Sequence, residues 1–511
     1  MSIEIVEYKK EYAKGIADMW IRSREGWNGG GMGVTATTTE EQVLKELEGT
    51  TSLNVYLAKQ NDEILGYLDF SKYLFDEGAL YIKWLNVRFD SHGKGIGKQL
   101  VKKAVERTAE LKYPRLDLFT WPGNTKSIPL YKKCGFFLEK RDDRTHFMNF
   151  IPYVLRTEAV SNLFNSLDWY TDLKQEIDIE PDGTYENEFC YYGYVWENND
   201  TYLRTEFEQR SRGLRLLETN DYQITATLPS QQLIAGQTHT IEYKVINKTS
   251  NPLAIKINGR NHLNIKSEFN LEAVVDNEYT IKANFTVGKE YDRPELDDTH
   301  PSVVSDLWIN GKRVEFKVGV IPKEPVEINL SGTNAINGES SRPNTECYLN
   351  NEMTMYLDLK NNMSNLSTVD FRLESDDKIE FIDSEVNIKL QAKEMKSIPI
   401  RVKLMNHHVY RKETPITVTL KNQETVTYHT CISSVFRGRV GAFGGEGENF
   451  YIICNGQYHV KIGKQSGRAD ISVFNEDWEF FMYPRLGTPY SQEFSKKNQI
   501  MLGGIENRNA W

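Results

Sequence analysis

The chain has 511 residues, more than one hydrophobic core can organise, so about three or four domains are expected. Its 62 Lys and Arg stand against 72 Asp and Glu, a formal net charge of -10 that argues against a dedicated nucleic-acid partner. No secretory-signal pattern and no apolar run of bilayer length is visible, and five cysteines without metal-ligand spacing fit a reducing cytoplasm with no metal and no membrane partner.

The charged segment Met1–Ala17 reads as a first strand and helix, with Trp20 and Arg22 at the helix end. Gly29, Gly30, Gly31 and Gly33 then predict a mobile loop, which reads equally as a simple surface loop or as a cover over a cleft. In that loop Glu25, Trp27 and Arg22 suit an amine-bearing molecule, the indole offering a cation–π face. Further on, Asp69 lies in the otherwise apolar strand GYLDF, and Glu77 precedes the next strand.

Leu85, Asn86 and Val87 read as that strand, and Gly93, Gly95 and Gly97 as a tight turn that folds around an oxyanion with no Cβ in the way. From Lys98 the pattern is helical, with apolar Leu100, Val101, Ala104 and Val105 against polar Lys102, Lys103, Glu106 and Arg107. Such a turn aims backbone amides at a phosphate. A dinucleotide fingerprint fits poorly, although Asp117 is near the place of the ribose-binding acid, because the turn lies deep in its domain. A nucleoside-triphosphate loop needs Ser or Thr where Gln99 follows Gly97 and Lys98.

The run His92, Gly93, Lys94, Gly95, Ile96, Gly97 resembles the Gln/Arg-x-x-Gly-x-Gly/Ala signature of the GCN5-related N-acetyltransferases, the GNAT family. The Asn124, Tyr131, Gly135 and Phe136 that follow about thirty residues on are similarly spaced in that family. The likeness covers roughly residues 3 to 150 and implies a mixed sheet with flanking helices that binds acetyl-CoA. It implies that the amides from Lys94 to Lys98 hold the pyrophosphate at a helix start, with Ile96 and Gly97 in that turn. It also implies that the main chain of Leu85, Asn86 and Val87 receives the pantetheine arm and that Asn124 and Ser127 position its far end. Tyr131 then stands near the thioester sulfur as general acid. His92 replaces the usual Gln or Arg, a shorter donor whose contact with the pyrophosphate would depend on pH. Glu25, Asp69 and Glu77 are the candidate general bases, and spacing does not choose among them. Cys134 reads as a packing residue, and Lys126 and Lys98 as solvent-facing or cofactor-facing charges.

Beyond residue 155 the texture becomes alternating strands separated by Gly, Asn and Pro, as in HTIEYKVIN at 239–247 and RVEFKVGVI at 313–321. The expected organisation is a multidomain α+β chain. It has a GNAT-like domain at 1–154, a β-rich bridge at 155–207, tandem all-β sandwiches at 208–321 and 322–430, and a glycine-rich β segment at 431–511 that reads as a truncated domain. The pattern GQTHTIEYKVIN from Gly236 resembles one strand of immunoglobulin-like modules. Two functions remain open: an N-acetyltransferase acting on a primary amine of a small molecule, amino sugar or peptide, or a non-catalytic protein that senses acyl-CoA or binds carbohydrate or protein. A homo-oligomer is compatible with either.

Overall fold

In the computed structural model, described are residues 3–23, 38–73, 76–120, 124–139, 145–289, 300–331, 348–420, 425–436, 441–447, 450–455, 458–464, 469–473, 479–482 and 506–507. The chain divides into two compact units, Met1–Pro322 and Lys323–Trp511. Glu25 and Trp27, expected to act in the early loop, lie outside the described residues.

The first unit begins with a seven-stranded sheet. Its elements are β1 (Glu4–Glu7), α1 (Ala13–Ser23), α2 (Glu40–Glu48), β2 (Asn54–Gln60), β3 (Glu63–Lys72) and β4 (Ala79–Val87), followed by α3 (Ile96–Glu110), β5 (Arg115–Thr120), α4 (Ile128–Lys133), β6 (Phe137–Glu139), β7 (Thr145–Asn149) and α5 (Ile151–Arg156). The strand order is β1-β2-β3-β4-β5-β7-β6, and only the β4–β5 pair is parallel, as the crossover through α3 requires. Strand β3 is buried from Ile64 to Ser71, as a central strand covered on both faces must be. On one face Leu68, Leu80, Ile82, Leu116 and Leu118 join the core of Ile96, Leu100, Val101 and Ala104 from α3. On the other, Tyr67 and Trp84 pack against Trp20 of α1 at 5.6 and 6.0 Å between ring centroids. Gly66 lets α3 lie this close, because a Cβ there would stand 2.6 Å from Cγ2 of Ile96.

The remainder of the unit is antiparallel β structure. A second sheet of nine strands runs from Leu173–Lys174 to Glu278–Val287, and residues 189–197, 202–208 and 213–219 are consecutive neighbours within it. A four-stranded sheet contains Ser302–Ile309 and Lys312–Gly319. Phe137, Phe150 and Tyr153 belong to the same core as Tyr192, Tyr194 and Phe207. Phe150 stacks on Phe207 at 4.5 Å with 11° between the planes. The mixed sheet and the following β structure thus share one apolar interior.

In the second unit, the strands at Glu352–Asn361 and Met395–Leu404 lie in one four-stranded antiparallel sheet, and those at Ser367–Arg372 and His408–Leu420 in another. Leu357, Val402, Val369 and Ile416 of these two sheets share a core. Strands from Phe443–Glu446 onward form a six-stranded antiparallel sheet. No helix among the described residues is long and apolar enough to cross a membrane.

Candidate functional site

The site starts where β4 and β5 part. Their ladder pairs Ala79, Leu80 and Tyr81 with Arg115, Leu116 and Asp117, and the strands continue to Val87 and Thr120 with no further rung between them. The other edge of β4 stays paired to β3, with an irregularity between Asp69 and Phe70 that leaves Lys83 out of register. Lys83, Trp84, Leu85, Val87, Phe119 and Thr120 are all partly exposed, whereas Ala79 to Ile82 and Arg115 to Leu118 are buried. A central part of the sheet is therefore accessible at the carboxyl ends of both strands.

The glycine turn closes one end of this opening. Gly93 and Gly95 have φ of 79° and 75°, left-handed values that favour glycine, and Gly95 caps α3. The helix begins at Ile96, two residues before the start read from the apolar pattern, because Ile96 is already buried while Gly97 carries no side chain to show in that pattern. Among the described residues no backbone carbonyl takes the amides of Gly93, Lys94 or Gly95, and the first turn of a helix lacks intrahelical acceptors. Nothing lies within 4 Å of a Cβ built on Gly93. These groups form an open, donor-rich cradle that fits a pyrophosphate. A Cβ on Gly97 would be 3.1 Å from Leu130 of α4 and 3.7 Å from Val87, so the turn, the end of β4 and α4 converge there.

His92 is exposed, and its Nε2 donates to the carbonyl of Val87 at 3.0 Å. The ring is thus turned back onto β4. Asn86 is buried and its Nδ2 donates to Ser23 Oγ at 2.8 Å, tying β4 to the end of α1. Asn124 Nδ2 donates to Thr120 Oγ1 at 2.7 Å, and the Asn124 carbonyl accepts from the amides of Ser127 and Ile128, starting α4. Tyr131 is 8% exposed and lies against Phe147 and Phe136, with ring centroids 5.4 and 6.1 Å away. Burial raises its phenol to about 12, against the opposing hydrogen bond of Ser127, so it holds its proton at neutral pH. Cys134 is fully buried and its thiol is likewise pushed up to about 12 by burial, which suits packing rather than nucleophilic attack.

Asp69 is buried on the face of Tyr67 and Trp84. Burial raises its carboxyl, opposed by the Lys83 ammonium 3.7 Å away and by the Ser52 hydroxyl, which donates to Oδ2 at 2.9 Å. Ser52 Oγ is also 2.8 Å from Thr50 Oγ1, and Lys83 Nζ donates to both hydroxyls. Glu77, in contrast, is exposed in the turn before β4, at the opposite end of that strand from Leu85 and about 25 Å away by strand rise. Arg22 makes an exposed ion pair with Glu63 at 3.4 Å, and Lys126 is exposed.

Sequence spacing missed two groups at the site. Lys83 would have been visible as a charge paired across two strands with Asp69. Tyr170 was not visible: its ring lies 5.5 Å from Lys98 Nζ and 4.3 Å from Lys102 Nζ, contacts bridging about seventy residues. Among the described residues no cluster of His, Cys, Asp and Glu could hold a metal.

Residues 22–136 match the sequence profile described as the Acetyltransferase (GNAT) family, and the chain carries an N-terminal domain of the GNAT fold. The solved PaiA N-acetyltransferase from Thermoplasma acidophilum, in complex with coenzyme A, is similar at 17% identity over 29% of this chain and 99% of that one, with a TM-score of 0.25. An N-acetyltransferase from Staphylococcus aureus Mu50 is 17% identical over 30% and 99% (TM-score 0.25), and an acetyltransferase from Thermus thermophilus is 22% identical over 29% and 97% (TM-score 0.25). No curated protein matches the chain. The rest of the chain is largely antiparallel β sheet.

Proposed function

We propose that the chain is an N-acetyltransferase that uses acetyl-CoA to acetylate a primary amine of a small molecule, amino sugar or peptide. The observation that carries this reading is the convergence of the open amide cradle, the end of β4 where it has parted from β5 and the Tyr131 helix on one point, Gly97. When bound, acetyl-CoA supplies an activated acetyl group: a C–N bond forms to the amine, the C–S bond breaks, the amine loses one proton and the departing sulfur takes one up.

The amides from Gly93 to Lys98 hold the pyrophosphate, and the main chain of Leu85 and Val87 lines the pantetheine arm. Asn124 and Ser127 fix the start of α4. Tyr131, protonated at neutral pH, holds the proton for the sulfur on its hydroxyl. Asp69 is the described carboxylate suited to take the amine's proton, because burial brings it toward the range a base needs, and Ser52 and Thr50 extend from it as a hydroxyl relay. A domain limit near 321 and a cytoplasmic setting are part of the same proposal, whereas the expected limits at 154, 207 and 430 fall inside Ile151–Arg156, Tyr202–Glu208 and Thr425–Phe436 and do not separate domains.

Calorimetric titration of the full chain with acetyl-CoA tests the reading, with binding near −8 kcal/mol, about micromolar, as the expected result. Gly95→Val should abolish that binding, since a β-branched side chain is unsuited to a left-handed turn. Wild-type affinity in that variant, or no binding by the native chain, would overturn the site.

A further inference from the structure

The helix that carries Tyr131 is too short to hold its own position. α4 spans Ile128–Lys133, and isolated helices become stable only at about 12–15 residues. One side of it meets Gly97 and Phe136, but the partners of the residue after Tyr131 come from outside the family-matched residues 22–136. Lys132, the next residue after Tyr131, is completely buried, and its ammonium donates to Asp178 Oδ1 at 2.6 Å, to the Glu180 carbonyl at 2.6 Å and to Asp182 Oδ1 at 2.9 Å. Asp182 also accepts the amide of Leu138 through Oδ2 at 2.7 Å, while its own amide donates to the Leu138 carbonyl at 2.8 Å. Tyr194 donates its hydroxyl proton to the Gly135 carbonyl at 2.6 Å and accepts from the Phe150 amide at 3.0 Å. Gly135 ends the α4 turn at φ 85°, where a Cβ would meet Ile151 at 2.2 Å.

We infer that Lys132, Asp178, Asp182 and Tyr194 are positioning residues, through which the appended β structure sets the orientation of α4 and thereby of the Tyr131 hydroxyl. A buried ammonium with three acceptors has one geometry at low cost, so α4 is fixed in rotation as well as in place. Two of the acceptors are carboxylates 46 and 50 residues distant. The appended β structure is then part of the acetyl-transfer site rather than a tether. This rests on the reading of Tyr131 given above.

A double-mutant cycle on the full chain, read as affinity for free CoA by calorimetry, separates positioning from general stabilisation. Tyr131→Phe removes one hydrogen bond to the CoA sulfur and should weaken CoA about 3- to 10-fold. Asp178→Asn, at a half-exposed partner where the fold should survive, is expected to weaken CoA about 2- to 5-fold, and Lys132→Met more than this. In the Tyr131→Phe background the loss caused by Asp178→Asn should shrink to below about 1.5-fold, because its effect acts through the missing hydroxyl. If Asp178→Asn and Tyr131→Phe are additive, or if Asp178→Asn lowers the melting temperature and leaves CoA affinity unchanged, the positioning role is overturned while the site stands. If Tyr131→Phe leaves CoA affinity unchanged, or the native chain does not bind CoA, the assignment of Tyr131 and the inference built on it are both overturned.

Discussion

Cutting the chain after residue 155 should destroy the mixed sheet rather than release it. Phe137, Phe150 and Tyr153 are at most 9% exposed in the whole molecule, and they pack on Tyr192, Tyr194 and Phe207, which the cut removes. Aromatic side chains of this kind bury about 150–250 Å² each, so uncovering about half of the three returns about 300 Å² of apolar surface to water. At about 25 cal/mol per Å² that is about 7 kcal/mol, an upper figure, against about 5–15 kcal/mol for the stability of a typical domain. The same cut strips Lys132 of Asp178, Glu180 and Asp182, leaving an ammonium without its partners beside the newly exposed surface. Fragment 1–155 should therefore lack a cooperative thermal transition and near-ultraviolet aromatic ellipticity, whereas fragment 1–322 should show both. A cooperative melt of 1–155 at the midpoint of 1–322 would refute the shared-core argument.

Four further outcomes follow from local geometry. Gly66→Ala places a Cβ against Ile96 and should destabilise by about 1–3 kcal/mol in urea unfolding, with weaker acetyl-CoA binding because the first turn of α3 must shift. Asp76→Asn leaves buried Arg115 and Arg212 short of a carboxylate that receives 2.7 and 3.1 Å contacts, and should cost about 3–5 kcal/mol in the same assay. Burial alone would raise Asp76, but Arg115 and then Arg212 outweigh it and hold the carboxyl well below its ordinary value. Its stabilisation is thus complete above the unfolded value of about 3.9 and lost as pH falls below it; urea midpoints from pH 5 to 2 should drop less steeply in Asp76→Asn than in the native chain. Tyr131→Phe should slow acetyl transfer about 10- to 100-fold with any accepted amine, less than the usual general-acid effect because water substitutes; an unchanged rate would remove its role as acid.

Local features were legible in the sequence, and long-range ones were not. The glycine turn announced itself because left-handed backbone at Gly93 and Gly95 restricts the residue type, a constraint written at the position where it acts. Strand 85–87 and the face of Leu100, Val101, Ala104 and Val105 were visible for the same reason, since period and burial are local. The shared core was invisible: Phe137 and Phe150 read as ordinary apolar residues of the N-terminal domain, and nothing at either position says that Tyr192, Tyr194 and Phe207 complete their packing. Lys132 gave an actively misleading signal. In the stretch Leu130-Tyr-Lys-Lys-Cys134 two adjacent lysines suggest a solvated end of a helix, and Lys133 is exposed, yet Lys132 is fully buried. Its burial depends on acceptors that arrive from residues 178–182, so the information lies in a pairing across about fifty residues and not in either segment alone. The same holds for His146, which reads as an isolated histidine but sits between Glu139 at 2.7 Å and Asp117 at 3.1 Å, with Arg115 bonded to Asp117 on the far side. Buried ionic groups of this kind tolerate little change in their surroundings, because removing one member leaves another charge without compensation. The apolar contacts make the β structure necessary to the N-terminal sheet, and the ionic ones fix where it must sit.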